Sequence, residues 1–292
     1  MKPSAFRYHA PTSIDAAIAA LDACGDDAVV MAGGQSLMPL LNLRLAAPTD
    51  VIDLRNVARL ADIVSDGNTV HLGAMVTHHT VESHDLVRRQ IPLARCAASH
   101  IGFRAIRNRG TVGGSVGHAD PAAEWPMVLL ALDGSVTLRS SAGVRDVAAD
   151  KFFVSLFTTV KRPGELLTAV SFSSRYVDHW GFSEFQRRTG DFAVVAAAVA
   201  CRLEDSVVSE ARVVLAGIGS TPIRCVQAEA TLTGREVTPE IAEVAAQAAR
   251  DEVEPIGDIH GSPDYRRRLV YAEVLRAVTQ ALRPAQPRLA HV

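Results

Sequence analysis

No two of the four cysteines, Cys24, Cys96, Cys201 and Cys225, stand close enough for a Cys-x-x-Cys pair. That spacing excludes a zinc ribbon and a self-contained iron–sulfur centre. Scattered thiols in a chain this long suit a reducing compartment, so a cytoplasmic location is expected. Neither sign of charge is in excess: 30 Lys and Arg face 32 Asp and Glu, a net charge of −2. A balance this close argues against nucleic acid as a partner. An anionic ligand would have to be held locally, by backbone N–H groups or a few arginines. Aromatic residues are scarce, at 5%. The longest apolar run, from Phe192 to Cys201, is about half of what a membrane span needs. The opening MKPSAFRYHAP carries no apolar signal-like segment, so neither export nor a membrane span is expected. His78, His79 and His84 have no cysteine or paired carboxylate to complete a metal set, and no Gly-x-Ser-x-Gly elbow supports acyl transfer. No catalytic or metal-ligating residue is expected in this chain.

What is present is a chain for burial: 48% apolar and 21% charged over 292 residues, enough for two or three modules with separate cores. Ser13 to Leu21 predicts an N-capped helix. Ala28 to Ala32 predicts a strand ended by Gly33-Gly34, and Ser36 opens a helix that tolerates Pro39 in its first turn. Val51 to Leu54 is a further strand. Leu60 to Val64 and Thr69 to Leu72 predict a hairpin turning at Asp66-Gly67-Asn68. Helices are expected over Thr80–Arg88, Leu93–Ser99 and Pro126–Leu132. Ile106 to Val112 reads as irregular and is broken by Gly113-Gly114. Strands follow at Ser135–Leu138 and Glu165–Phe172. From about Tyr176 the pattern changes to two buried strands, Phe192–Leu203 and Ala211–Ala216. Two long helices, Thr238–Glu252 and Asp264–Ala281, complete it. The arginines Arg266 to Arg268 are expected on a solvated helix face, and the tail beyond Pro284 is expected to fray.

A glycine pair beside a hydroxyl residue occurs twice: Ala32-Gly33-Gly34-Gln35-Ser36, and Thr111-Val112-Gly113-Gly114-Ser115. Glycine permits positive φ and lets a ligand approach the backbone. Successive N–H groups can then converge on an anion, and the first turn also feeds a helix N-terminus. Either pair alone could simply make a corner. Two together suit the two phosphates of a dinucleotide, although neither matches the Gly-x-Gly-x-x-Gly or Walker spacing. Asp120 and Glu124, after the second turn, could accept from ribose hydroxyls or could simply start a helix. Arg104, Arg107 and Arg109 could balance phosphate charge or form a solvated face.

With these residues in view, the chain resembles the FAD-binding (medium) subunit of the molybdenum hydroxylases, the group that includes aerobic carbon monoxide dehydrogenase and xanthine dehydrogenase. The resemblance is carried by AGGQSLMPLLNLRLA from Ala32 and IRNRGTVGGSVGHADPAAEWP from Ile106. FRYHAPTSIDAAIAAL, FQRRTGDFAVVAAAV from Phe185 and DIHGSPDYRRRL from Asp258 add to it. It implies an α+β fold: a two-subdomain FAD-binding unit of the vanillyl-alcohol-oxidase-like (PCMH) type, and a C-terminal α+β domain with a small antiparallel sheet and a helical bundle. The division expected is 1–57, 58–175 and 176–292. It also implies that Met31, Ala32, Gly33, Gly34, Gln35, Ser36 and Leu37 wrap the FAD diphosphate, with Thr111, Gly113, Gly114 and Ser115 as a second grip. His118 would make a polar contact and Glu124 would lie near the ribose. Ile101 would pack near the ring system, Leu167 would meet it through its backbone, and Gln186 would stand where some relatives have a basic residue.

The same resemblance implies an electron-transfer role. A large molybdopterin subunit would oxidise the substrate, and a small subunit with two [2Fe–2S] clusters would relay the electrons. FAD on this chain would pass them to an external acceptor. Two other readings stay open: a free-standing FAD-binding module, and a self-sufficient flavin oxidoreductase.

Overall fold

The computed structural model describes residues 2–283; the expected tail beyond Pro284 lies outside them. The first strands are short and parallel. β1 (Arg7–His9), β2 (Ala28–Met31) and β3 (Asp50–Asp53) form a sheet in the order β1-β3-β2. Helix α1 (Ile14–Cys24) connects β1 to β2, and the Ser13 hydroxyl caps it by accepting from the amide of Ala16. Its Ala17, Ile18 and Leu21 are buried with Ile52 and Leu54. Helix α2 (Leu37–Asn42) connects β2 to β3. The sheet leaves Met31 and Asp53 side by side at the C-terminal ends of their strands, where the first glycine pair begins.

Two 3₁₀ turns, Leu54–Asn56 and Ala58–Ala61, lead into the hairpin β4 (Ile63–Ser65) and β5 (Thr69–Gly73). Five short helices follow: α3 (His78–Ser83), α4 (Asp85–Gln90), α5 (Pro92–His100), α6 (Arg104–Arg107) and α7 (Val112–His118). The more apolar α8 (Glu124–Ala131) comes next, and all of its residues but Leu130 are buried. Strands β6 (Ser135–Ser140) and β7 (Gly143–Ala148) precede α9 (Ala149–Phe152) and a small hairpin, β8 (Phe153–Ser155) with β9 (Thr158–Thr159). β10 (Leu166–Ser173) then enters the middle of an antiparallel sheet ordered β4-β5-β10-β6-β7. Residues 106–118 therefore differ from expectation. The second glycine pair is not a break but the first turn of α7, whose N-cap Thr111 accepts from Gly114 N at 3.0 Å.

The C-terminal part is a four-stranded antiparallel sheet of β11 (His179–Phe185), β12 (Val195–Glu204), β13 (Val207–Ala216) and β14 (Ile223–Arg224). Helices α10 (Val226–Leu232), α11 (Pro239–Glu252) and α12 (Pro263–Ala281) cover one face. β12 shows why its run is apolar without alternation. Ala196, Ala198 and Ala200 join the core around α8, while Val195, Ala197 and Val199 join the core under α11 and α12. A strand covered on both faces has no polar side to show. Its small residues also let neighbours come close. A β-carbon on Gly181 of β11 would fall 2.7 Å from the Ala277 carbonyl carbon of α12. No helix among the described residues is long and apolar enough to cross a membrane.

Candidate cofactor site

The two glycine segments meet. A β-carbon at Gly33 would lie 2.8 Å from the α-carbon of Gly110. One at Gly114 would lie 3.2 Å from the Ala32 β-carbon and 3.9 Å from the Gly33 amide nitrogen. Gly34 takes φ +73°, the left-handed region that glycine occupies without strain. The chain thereby turns from β2 into α2, with Gln35 Nε2 donating to Gly33 O at 3.1 Å. Ser36 precedes α2 in a helical conformation and makes no side-chain cap.

The two segments differ in what they offer. The amides of Gly33, Gly34, Gln35, Ser36 and Leu37 donate to no protein acceptor among the described residues. In the second segment, Val112 N donates to Val76 O at 2.9 Å, Gly113 N to Ala74 O at 3.1 Å and Ser115 N to Thr111 O at 3.0 Å. Gly114 N is taken by the Thr111 hydroxyl. The expectation that Gly113, Gly114 and Ser115 donate their amides is thus corrected. These amides hold α7 against the β5 end and its own cap, and Thr111 is buried with its hydroxyl oxygen accepting from Gly114 N, so the segment offers close approach and the Ser115 hydroxyl. Gly113 is fixed by packing, since a β-carbon there would meet Ala74 at 2.5 Å.

A recess of about 280 Å³ opens at the first segment, between Met31–Gln35, Met38–Pro39, Arg55 and Arg109. Of the three arginines ahead of the second segment, only Arg109 lines it. Arg107 is turned inward, donating to Glu82 at 3.0 Å and to the carbonyls of Ile101 and Gly102. Arg55 escaped the sequence reading. It follows β3 and pairs with Asp53 at 2.6 Å, which also accepts from Tyr8. The only signal for it was a basic residue just past the end of a parallel strand. Unclaimed amides, a backbone without β-carbons and two cations fit a diphosphate.

The remaining expected residues lie along α7 and at the junction with the C-terminal sheet. His118 ends α7 and stacks on Phe157, centroids 4.9 Å apart. Leu167 is buried on β10, its Cδ1 3.8 Å from where a Gly117 β-carbon would be, beside a register shift between Leu167 and Ala169. Leu166 turns instead to the N-terminal core. Ile101 follows α5 and packs on the main core. Gln186 donates to Glu184 and accepts from Gly190 N at 2.8 Å, bracing the loop after β11. The ring of Phe103 presses on Gly190, 3.0 Å from its β-carbon position. These loops border a cavity of about 690 Å³ between Asp120–Ala122 and the C-terminal loops at Gly190–Val194, Gly217–Ser220 and Ile256–Asp258.

Burial dominates the electrostatics here. Glu124 is 4% exposed, and desolvation, with Asp120 adding to it, pushes its carboxyl up to about 7. Glu184 is pushed up to about 8, first by burial and then by the charges of Glu124 and Glu273. His78 is pushed down to about 3 by burial, with Arg107 adding to it, and its Nδ1 accepts from Trp125 Nε1 at 3.0 Å. A neutral, buried histidine bonded to an indole is a packing element of the core. His84 caps α4 and His79 lies 3.9 Å from Glu82. His9, Cys24 and Asp50 also gather closely. Asp50, however, accepts from Arg7 at 2.8 and 2.7 Å, from His9 at 2.7 Å and from Thr49 at 2.8 Å. Those hydrogen bonds hold its carboxyl far below the usual range and tie β1 to β3.

A parallel sheet that delivers a glycine turn to a second glycine segment, backed by a second α+β unit, fits a protein that holds a dinucleotide. Comparison with known proteins makes this specific. Residues 4–172 match the FAD binding domain in molybdopterin dehydrogenase, and residues 180–281 match the CO dehydrogenase flavoprotein C-terminal domain. The chain is 41% identical over 286 residues to the nicotine 6-hydroxylase medium subunit of Paenarthrobacter nicotinovorans, covering 96% of this chain and 99% of that one. It is 34% identical over 282 residues to the carbon monoxide dehydrogenase medium chain of Hydrogenophaga pseudoflava, covering 96% and 98%. Among solved structures, quinoline 2-oxidoreductase from Pseudomonas putida 86 is similar with TM-score 0.92 and 37% identity, over 97% of this chain and 98% of that one. Carbon monoxide dehydrogenase from Hydrogenophaga pseudoflava is similar with TM-score 0.94 and 34% identity, over 98% and 100%. The chain belongs to the FAD-binding subunits of the molybdenum hydroxylases. It is an oxidoreductase flavoprotein subunit with the two-part architecture, FAD-binding unit and C-terminal domain, expected from its motifs.

Proposed function

We propose that this chain is the electron outlet of a three-subunit molybdenum hydroxylase. In this reading a small partner with [2Fe–2S] clusters delivers electrons to the FAD held here, and a large molybdopterin partner selects the substrate. FAD supplies the chemistry when bound, accepting electrons singly and releasing them in pairs to an external acceptor. The chain's own residues bind and orient. The amides from Gly33 to Leu37 would hold the diphosphate, with Met31 and Ala32 shaping the approach and Arg55 and Arg109 balancing charge. Gly113 and Gly114, packed against Ala74 and Ala32, would let α7 sit close behind it, Thr111 would cap that helix, and Ser115 would donate its hydroxyl. His118, Glu124, Ile101, Leu167 and Gln186 would line the path beyond the diphosphate. We also keep 1–57, 58–175 and 176–292 as the working division.

One observation carries this reading: two glycine segments about 80 residues apart close on each other, beside amides that no acceptor among the described residues claims. The test is purification of the chain expressed from its native locus. Copurification with an iron–sulfur chain and a molybdenum chain, with FAD on this subunit, is expected. A lone monomer that oxidises a small molecule unaided would overturn the subunit role.

A further inference from the structure

The segment from Asp258 to Leu269 carries part of the family resemblance, yet it has no place in the diphosphate cradle. Its Arg266 opens a run of three arginines, and the expectation of a solvated face is wrong for this one. Arg266 is 4% exposed. Its Nη1 donates to Val194 O at 2.6 Å and also to Gly217 O, and its Nη2 donates to Asp258 Oδ1 at 2.6 Å. The same Asp258 oxygen accepts from His260 N at 2.8 Å and Gly261 N at 3.1 Å. One guanidinium thus joins three loops that are remote in sequence.

The joint reaches across to the FAD-binding unit. Gly217 has φ +79°, and a β-carbon there would lie 2.7 Å from Val194 O. Its N–H donates to Pro121 O at 2.9 Å. Pro121 is held between Asp120, whose carboxylate accepts from Ala122 N at 2.9 Å, and Ala123, whose N–H returns to Asp120 O at 3.1 Å. Glu124 comes next in the chain. Val194, Gly217, Asp258, Arg266 and Pro121 all line the 690 Å³ cavity.

We infer that Arg266, paired with Asp258, is a positioning residue for the cofactor. It sets the C-terminal wall of the interdomain cavity and, through Gly217 and Pro121, the loop that carries Asp120 and Glu124. The inference rests on the FAD reading above. The planar fork places one nitrogen on two carbonyls and the other on a carboxylate, a fixed spacing that a single ammonium nitrogen does not reproduce. Its loss strands the buried Val194 carbonyl and the half-buried Gly217 carbonyl and frees the wall. The diphosphate cradle, built by β2, α2 and α7, does not depend on this joint. The part of FAD beyond the diphosphate does.

The experiment titrates the full apo chain with FAD and with inorganic diphosphate, which presents the two phosphates without ribose or flavin. Arg266→Met is expected to weaken FAD about tenfold while diphosphate affinity stays within about twofold. The visible band of the bound flavin should lose its resolved shape. Arg266→Lys should recover part of both effects. Should Arg266→Met fail to fold, Asp258→Asn is expected to weaken FAD about threefold and leave diphosphate unchanged. FAD and diphosphate weakened equally, or neither weakened, with wild type binding both, would overturn the inference alone. Wild type binding neither ligand would overturn the FAD reading and this inference with it.

Discussion

Gly33 and Gly110 approach so closely that a β-carbon on Gly33 would fall 2.8 Å from the Gly110 α-carbon. The end of a parallel strand is thereby pressed against the segment that enters α7. That contact brings the unclaimed amides of Gly33 to Leu37 beside the Thr111 cap, and Arg55 and Arg109 share the recess.

Gly33→Val should force the two segments apart, because backbone rather than a flexible side chain fills the space. FAD affinity is expected to fall by about two orders of magnitude or more, read by equilibrium titration of the apo chain. Gly34→Val acts differently, through strain at positive φ, and should also lower affinity. Unchanged affinity in both variants would remove the cradle.

The arginines should separate by their partners. Arg109 has no side-chain partner among the described residues, whereas Arg55 is paired with Asp53. Arg109→Gln should weaken FAD about tenfold, the value of one charged hydrogen bond, and reduce the salt dependence of binding. Arg55→Gln should do less. Titrations at two ionic strengths check the order.

Glu124 and Glu184 predict a particular pH dependence of the apo chain. Their folded values, about 7 and about 8, lie above the ordinary carboxylate range. The folded state then binds more protons than the unfolded state, so stability falls as pH rises from about 4.5 through these values. Glu124→Gln should flatten that fall, with an effect of the order of 3 kcal/mol at most. Thermal melts between about pH 5 and 8 measure it. A slope equal to that of the wild type would show that Glu124 is not held in a desolvated site.

Trp125 and His78 predict acid sensitivity of the opposite sign. His78 is held neutral, so its contribution is present above its unfolded value of about 6.5 and is lost as pH falls towards about 3. Trp125→Phe removes the indole donor and should cost about 1–3 kcal/mol by stranding the His78 nitrogen. Denaturant unfolding at neutral pH is the check.

The elements that the sequence shows are those set by local chemistry. The Ser13 cap, the Asp66-Gly67 turn and the apolar run of β12 all follow from neighbouring residues. The departures come from distant partners. Glycine is a poor helix former, so Gly113-Gly114 reads as a break. In the structure Ala74 and Val76 hold that turn, and Thr111 caps it. Arg266 reads as solvent-facing because arginines follow it, yet its acceptors are supplied by Val194 and Gly217. The amides of the second glycine segment look available until β5 is packed beside them. Arg55 and the interdomain cavity have no local signature, because each exists only once separate strands and loops have met.

The measurement closest to the central claim is a paired titration of the apo chain with FAD and FMN. A cradle built for a diphosphate predicts FAD binding at least about a hundredfold tighter, because FMN presents one phosphate to amides and arginines arranged for two. Equal affinities for the two flavins would contradict it.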